Sequence, residues 1–326
     1  MTRDRKKILC SAGMPELVAT RLAAFGDVVP VADDELAAQA GECIAVAARA
    51  STRVSSAIIE AAPALRVIGR SGVGVDNVDV AAASGRGIPV VITPGATTAG
   101  VAEGAIALVL ALAKRLPTLD HAVKGGTWAT RDTADILDLA GSTLGVVGLG
   151  RVGRHVSRLA LALGFTVLGH DPFPSPEIPD GMPLLDLTAL LARCDVVVLA
   201  AALTGRSRAM IDAGILRNCR PGLVLVNVGR GELVSSLDDL HQALQAGRLG
   251  GVGLDVFPRE PPETSHPLFR DERVLASPHA LAFTRQGRVA IFEEMAEGMA
   301  EVLSGRRARH VADPAVYESR KGAVPS

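Results

Sequence analysis

The sequence predicts an α/β protein of two units, each a parallel sheet with helices on its faces. Three observations carry this. Short apolar runs alternate with helical patterns along most of the 326 residues, as repeated βα units do. A glycine turn, Gly148-Leu149-Gly150-Arg151-Val152-Gly153, sits near the middle. A long apolar stretch over 101–116 separates the segment before that turn from the segment that holds it.

Taken in order, the strands of the first unit are expected at 7–10, 27–30, 43–47, 67–69 and 90–92, with helices at 15–25 and 55–61 among them. The stretch 101–116 reads as one helix crossing from the first unit to the second, capped by Thr97 and Thr98 and stopped by Pro117. A loop at 124–128 carries the single tryptophan, Trp128. The second series has strands at 143–147, 166–169, 196–199, 223–227, 251–255 and 273–277 and a helix at 155–163. A last long helix at 286–303 precedes a polar tail from Arg306, whose final residues are expected to be mobile. The domains read as 1–100, then 101–285, then 286–326.

Composition narrows the class. Apolar residues make up 48%, enough for two cores, but aromatics are only 3%, so those cores are built from Ala, Val, Leu and Ile. The 34 basic and 35 acidic residues nearly cancel and form no long block, which argues against a nucleic-acid or membrane-surface protein. After the basic start, Ile8-Leu9-Cys10 is too short for the apolar core of a signal peptide, and 101–112 is about half a membrane span. Cys10, Cys43, Cys194 and Cys219 show no metal spacing and read as reduced core thiols. A soluble cytoplasmic protein without a metal site is expected.

The glycine turn is the most specific local signal. An apolar strand precedes it, a helical pattern follows it, and after a second strand Asp171 comes 18 residues beyond Gly153. This is the dinucleotide fingerprint. Gly148 makes the tight turn, Gly150 lets backbone approach a pyrophosphate, and Gly153 packs helix against strand. The N–H groups around Arg151 and Val152 open the helix toward the phosphates. Asp171 suits a ribose diol and repels a 2′-phosphate, which favours NAD over NADP. A purely structural βα turn is the ordinary alternative.

Downstream, charged groups fall at strand ends. Arg230 follows the strand at 223–227 together with Val228, Asp255 follows Gly253-Leu254, Glu260 precedes two prolines, and His279 follows Ser277-Pro278. Each alone can be an ordinary loop residue. Together they suit hydride transfer coupled to proton transfer. His279 is the acid–base group, and histidine titrates near neutrality. Glu260 fixes its tautomer and stabilises the charge it acquires. Arg230 grips a carboxylate and polarises the adjacent carbonyl with its planar fork. Asp255 holds the nicotinamide amide, and Val228 and His279 complete the cofactor contacts.

These segments, with Gly69-Arg70-Ser71-Gly72-Val73-Gly74-Val75-Asp76-Asn77-Val78-Asp79 and His170-Asp171-Pro172-Phe173, resemble the D-isomer-specific 2-hydroxyacid dehydrogenase family and its phosphoglycerate dehydrogenase group. The resemblance covers about 40–305. It implies two Rossmann-like domains, the nucleotide-binding one inserted into the catalytic one, and a homodimer joined through the nucleotide domains. It implies the roles of Arg230, Glu260 and His279 in interconverting a 2-hydroxy and a 2-oxo acid, and a substrate carboxylate held by the N–H groups of Val73 and Gly74. Where relatives have His-x-Pro-Leu, this chain has Ala200-Ala201-Ala202-Leu203. Thr97-Thr98 replaces Asn-Ser or Asn-Thr. The regulatory C-terminal domains of some phosphoglycerate dehydrogenases are expected to be absent. Arg49, Arg70 and Arg131 are candidates for a second anionic group on the substrate, such as the phosphate of 3-phosphoglycerate. Without them a small acid such as glycerate, glyoxylate or lactate fits. Two alternatives stay open: an NAD(H)-binding regulator with little turnover, and a phosphite- or formate-type dehydrogenase.

Overall fold

The structure, a computed structural model, describes residues 6–174 and 177–319; the end of the polar tail lies outside these. Two compact units divide the chain, Met1–Thr97 with Phe283–Ser326, and Thr98–Ala282.

The first unit holds a parallel sheet of β1 (Lys7–Ser11), β2 (Asp27–Val31), β3 (Cys43–Ala48), β4 (Val67–Arg70) and β5 (Val90–Val91), in the order β2-β1-β3-β4-β5. All six residues of β3 are buried, as expected for a central strand covered on both faces. One face packs on Leu36, Ile58 and Ile59. The other packs on Met295, Met299 and Leu303 of the helix Gly287–Leu303. Gly69 in β4 lets this helix come close, since a Cβ there would collide with Met299.

The second unit holds β6 (Thr143–Val147), β7 (Thr166–His170), β8 (Val196–Leu199), β9 (Leu223–Asn227), β10 (Leu249–Leu254) and β11 (Val274–Ala276), in the order β11-β10-β9-β8-β6-β7. Every pairing is parallel. β8 and β9 are continuous runs of Val and Leu, β9 ending on Asn227, and every residue of both is buried. The sequence order reverses at β6, which has β7 on one side and β8 on the other. That reversal is the topological switch point where open α/β sheets bind ligands.

Four expectations need correction. The long helix runs Pro94–Ala113, so Thr97 and Thr98 lie inside it and do not cap it. Pro94 suits a first turn because it has no N–H to satisfy. The cap comes from far along the chain: Glu294 accepts the N–H groups of Gly95 at 3.2 Å and Ala96 at 2.9 Å, and His310 Nδ1 lies 2.8 Å from the same carboxylate. Pro117 does not stop this helix. The chain turns at Arg115, with φ +53°, and Pro117 belongs to the first turn of the next helix, Leu116–Lys124. Trp128 opens a short 3-10 helix, Trp128–Asp132, where a loop was expected. At 20 residues the helix Pro94–Ala113 is also long and apolar enough to cross a membrane, unlike the shorter stretch the sequence suggested. Its buried residues Ala102, Ala105, Ile106, Val109 and Leu112 pack on Leu144, Val146, Val198 and Val226 of the second sheet, which accounts for its apolar character as a core helix.

The four cysteines are free and buried. Burial pushes the Cys10 and Cys43 thiols up to about 11 and Cys194 up to about 12, and raises Cys219 as well. Near pH 8 the thiolate fraction of Cys10 or Cys43 is then about one in a thousand. The native chain is expected to leave an aromatic disulfide reagent unreacted over minutes, and the chain in denaturant to titrate four thiols. A thiol that reacts promptly in the native state would contradict this burial.

Candidate active site

The glycine turn leaves β6 at the switch point. Gly148 has φ +88°, its N–H donates to the His170 carbonyl at 2.9 Å, and a Cβ on it would overlap the backbone of Ala201. A Cβ on Gly153 would overlap the Gly148 carbonyl oxygen, so this glycine sets how closely the helix Arg151–Ala162 seats on the strand. Gly150 differs: nothing lies within 4 Å of where its Cβ would be. It precedes the first helical turn, where the N–H groups of Arg151, Val152 and Gly153 have no intrahelical acceptor and the Arg154 N–H is the first to donate, to the Gly150 carbonyl at 3.0 Å. Asp171, just past β7, accepts the Leu149 N–H at 2.7 Å through one oxygen and the Phe173 N–H at 2.8 Å through the other. The acid is thereby fixed to the turn, and each oxygen keeps a lone pair. Val228 is buried past β9, with its N–H on the Leu199 carbonyl at 3.0 Å. An open approach to backbone, unpaired helical N–H groups and an anchored acid on the neighbouring strand fit a dinucleotide.

The second set lies past β9, β10 and β11 in the same unit. His279 Nδ1 is 2.9 Å from Glu260 Oε2, and Glu260 Oε1 accepts the Phe257 N–H at 3.1 Å. With the carboxylate on Nδ1, that nitrogen carries a proton, and Nε2 is left to exchange one. His279 itself has φ +52°, a costly conformation for a residue other than glycine. Asp255 holds it there. The Asp255 carbonyl accepts the His279 N–H at 2.8 Å. Its carboxylate, on a residue only 2% exposed, accepts Ser277 Oγ at 2.6 Å, the Ala280 N–H at 2.9 Å and the Leu281 N–H at 3.4 Å. The Asp255 carboxylate thus braces the 277–281 loop, with Oδ1 taking two of the three donors and Oδ2 only the 3.4 Å one.

Arg230 follows β9 and opens the short 3-10 helix Gly231–Leu233. Its Nη1 donates to the Gly229 carbonyl at 2.7 Å. Asn227, fully buried, was missed in the sequence. Its Nδ2 donates to the Arg230 carbonyl at 2.8 Å and its Oδ1 accepts the Gly229 N–H at 3.1 Å, bracing the turn from both sides. Gly231 was missed too. A Cβ on it would overlap the backbone of Phe257 and Pro258, so the Arg230 turn and the loop leading to Glu260 lie in backbone contact. A strand-end Asn and the glycines flanking the arginine are the sequence signals that point to such a turn.

In the first unit, Arg49 and Arg70 stand at the carboxyl ends of β3 and β4. Arg49 Nη1 donates to the Ala12 carbonyl at 3.4 Å; Arg70 Nη1 donates to the Ser71 carbonyl at 2.9 Å and its Nε reaches Asn77 Oδ1 at 3.4 Å. Past β4, Gly72 has φ +123° and exchanges hydrogen bonds with Thr93 at 2.8 and 2.9 Å. That turn presents the Val73 and Gly74 N–H groups, for which no acceptor occurs among the described residues. Arg131, by contrast, is an exposed side chain over the Trp128 ring and bonded to Asp132 at 3.2 Å.

Residues 106–280 match the model of the family described as D-isomer specific 2-hydroxyacid dehydrogenase, NAD binding domain. The chain is 38% identical to the D-3-phosphoglycerate dehydrogenase of Archaeoglobus fulgidus over 279 residues, 85% of this chain and 53% of that one. It spans about half the length of the curated relatives it matches. Among solved structures, the TT0316 protein of Thermus thermophilus superposes with a TM-score of 0.82 at 32% identity, covering 94% of this chain and 100% of that one. An NADPH-dependent glyoxylate/hydroxypyruvate reductase of Sinorhizobium meliloti superposes with a TM-score of 0.82 at 28% identity, covering 94% and 97%.

Proposed function

The chain belongs to the D-isomer specific 2-hydroxyacid dehydrogenase family, and from that premise we propose that it interconverts a 2-hydroxy acid and a 2-oxo acid with NAD as cofactor. The observation that carries the proposal is the His279–Glu260 contact at 2.9 Å, which leaves Nε2 of a loop-anchored histidine available for proton exchange. When bound, the nicotinamide supplies or accepts the hydride. Nε2 of His279 takes the hydroxyl proton in oxidation and returns it to the carbonyl oxygen in reduction. Glu260 stabilises the charge on the ring while it holds that proton, and Arg230 lays its planar fork against the carboxylate and the reacting oxygen. Asp255 acts through the loop it holds.

Gly148, Gly150, Arg151, Val152 and Gly153 receive the pyrophosphate, and Asp171 the adenosine ribose. An unpaired anion next to Asp171 costs on the order of 1–3 kcal/mol in a partly desolvated site, which is why NAD is the preferred cofactor. In the first unit, the N–H groups of Val73 and Gly74 take an anionic group of the substrate. Arg49 and Arg70 at the neighbouring strand ends favour an acid with a second anionic group, of the 3-phosphoglycerate kind, a reading supported by the names of the curated relatives. The division into a nucleotide unit inserted in a substrate unit follows the same reading.

The partner we propose is a second copy of the chain, meeting through the nucleotide unit. Leu116, Val123, Trp128 and Ile136 are exposed within one short stretch of it, Trp128 by 66%. Apolar residues this large are costly to leave in water. Light scattering is expected to return twice the chain mass, and a monomer at micromolar concentration would sink the proposal.

Steady-state oxidation of NADH with a panel of 2-oxo acids tests the activity, and two variants test the roles. His279→Ala is expected to lose ~10²–10⁴-fold in kcat while still binding NADH, as removal of an acid–base group does. Near wild-type kcat across pH would rule out its role. Arg230→Lys keeps the charge but not the fork, and is expected to lose at least ~10²-fold in kcat/KM, the scale of one transition-state donor. A change of only a few-fold would make Arg230 a turn residue.

A further inference from the structure

We propose that Arg206 is a cofactor-specificity residue that receives a 2′-phosphate, so that the site accepts NADP(H) as a second cofactor despite Asp171. The inference rests on the dinucleotide reading of the glycine turn and goes beyond it.

Three features meet on one rim of the second unit. Asp171 marks the ribose position, and the Phe173 N–H is bonded to its Oδ1 at 2.8 Å. Phe173 is 78% exposed, an unusual state for a phenyl ring. Over that ring, 6.0 Å from its centroid, lies the guanidinium of Arg206. Arg206 has no carboxylate partner among the described residues, whereas its neighbour Arg208 lies 4.0 Å from Glu232.

The turn that carries Arg206 is defined. Thr204 and Ser207 bond each other reciprocally, the Thr204 N–H to Ser207 Oγ at 2.8 Å and the Ser207 N–H to Thr204 Oγ1 at 3.2 Å. Ser207 Oγ also donates to the Ala202 carbonyl at 2.7 Å. The same segment begins at Ala200 and Ala201, which seat against β6 and Gly148 through the Ala200 N–H to the Val147 carbonyl at 2.8 Å. The run Ala200-Ala201-Ala202 therefore delivers Arg206 from the glycine turn to the Phe173 side of the acid. A ring face restrains the guanidinium at little cost in hydration. A phosphate beside Asp171 then meets a planar cation able to give it two hydrogen bonds. The two charges act in opposition. Asp171 disfavours the 2′-phosphate, and Arg206 returns part of that loss.

The adenosine half can be probed without chemistry. ADP and 2′,5′-ADP differ in where the second phosphate sits, and each can be titrated against the full chain by calorimetry at low and at high salt. Arg206→Gln is expected to weaken 2′,5′-ADP by about 10-fold, the scale of one partly exposed charge-assisted contact, and ADP by less than about two-fold. Arg206→Lys keeps the charge but not the planar fork, and is expected to bind 2′,5′-ADP more weakly than the wild type and more tightly than Arg206→Gln, whereas Arg208→Gln, the same charge change on the same turn, is expected to leave the ratio unaltered. High salt is expected to shrink the effect. In kinetics, the kcat/KM ratio of NADPH to NADH is expected to fall with Arg206→Gln by the same factor. If Arg206→Gln weakens both nucleotides alike, or leaves their ratio within about two-fold, the proposal is overturned while the dinucleotide reading stands. If the wild-type chain binds neither nucleotide, both fall.

Discussion

Parallel strand direction is the constraint from which the rest follows. Within each unit every strand pair is parallel, so every carboxyl end opens on one edge and every crossover must return over a face. In the second unit this puts the turns after β6, β7, β8, β9, β10 and β11 side by side. The glycine turn, Asp171, Ala201, Arg230, Asp255 and His279 come from these turns, although 131 positions separate the first residue from the last. An antiparallel pair would have sent alternate turns to the opposite edge.

On that edge, precision comes from backbone approach and buried polar contacts more than from large side chains. Gly148 and Gly153 let the helix and the Ala201 segment sit where a methyl group would not fit, and Gly231 does the same for the turn against Phe257. Asn227 and Asp255, both buried, spend their polar atoms on backbone and hydroxyl groups of the adjoining turns. A buried carboxylate is tolerable because it collects several donors. In return it stabilises the left-handed backbone of His279. Buried polar residues of neighbouring turns thus fix the backbone from which the His279 side chain projects.

The cofactor rim shows two opposed charges within one small site. Asp171 is pinned by two backbone N–H groups, while Arg206 rests on an exposed ring. Preference between two cofactors is a difference of affinities, so on the proposed reading an acid and a cation at one rim give a graded preference where either alone would give a steep one.

Much of this was legible in the amino-acid sequence, because the signals are local. Continuous Val and Leu runs bounded by glycine define the buried strands of a parallel sheet, and the spacing of Gly148, Gly150, Gly153 and Asp171 reflects one βα turn and the strand after it. Arg230, Glu260 and His279 were visible as charged residues at strand ends. What required the tertiary structure is contact between distant segments. Glu294 caps a helix that begins almost two hundred residues earlier, so local reading placed the cap at Thr97 and Thr98. Pro117 begins a helix instead of ending one, since only the turn at Arg115 separates the two. That the Asp255 carboxylate also braces the 277–281 loop shows only in the fold, because its donors come from more than twenty residues further along the chain. Arg206 had no local signature, because its meaning depends on Phe173, which lies on a different strand end. Propensity and periodicity act over a few residues; capping, burial of charge and ring contact depend on which segments the sheet brings together.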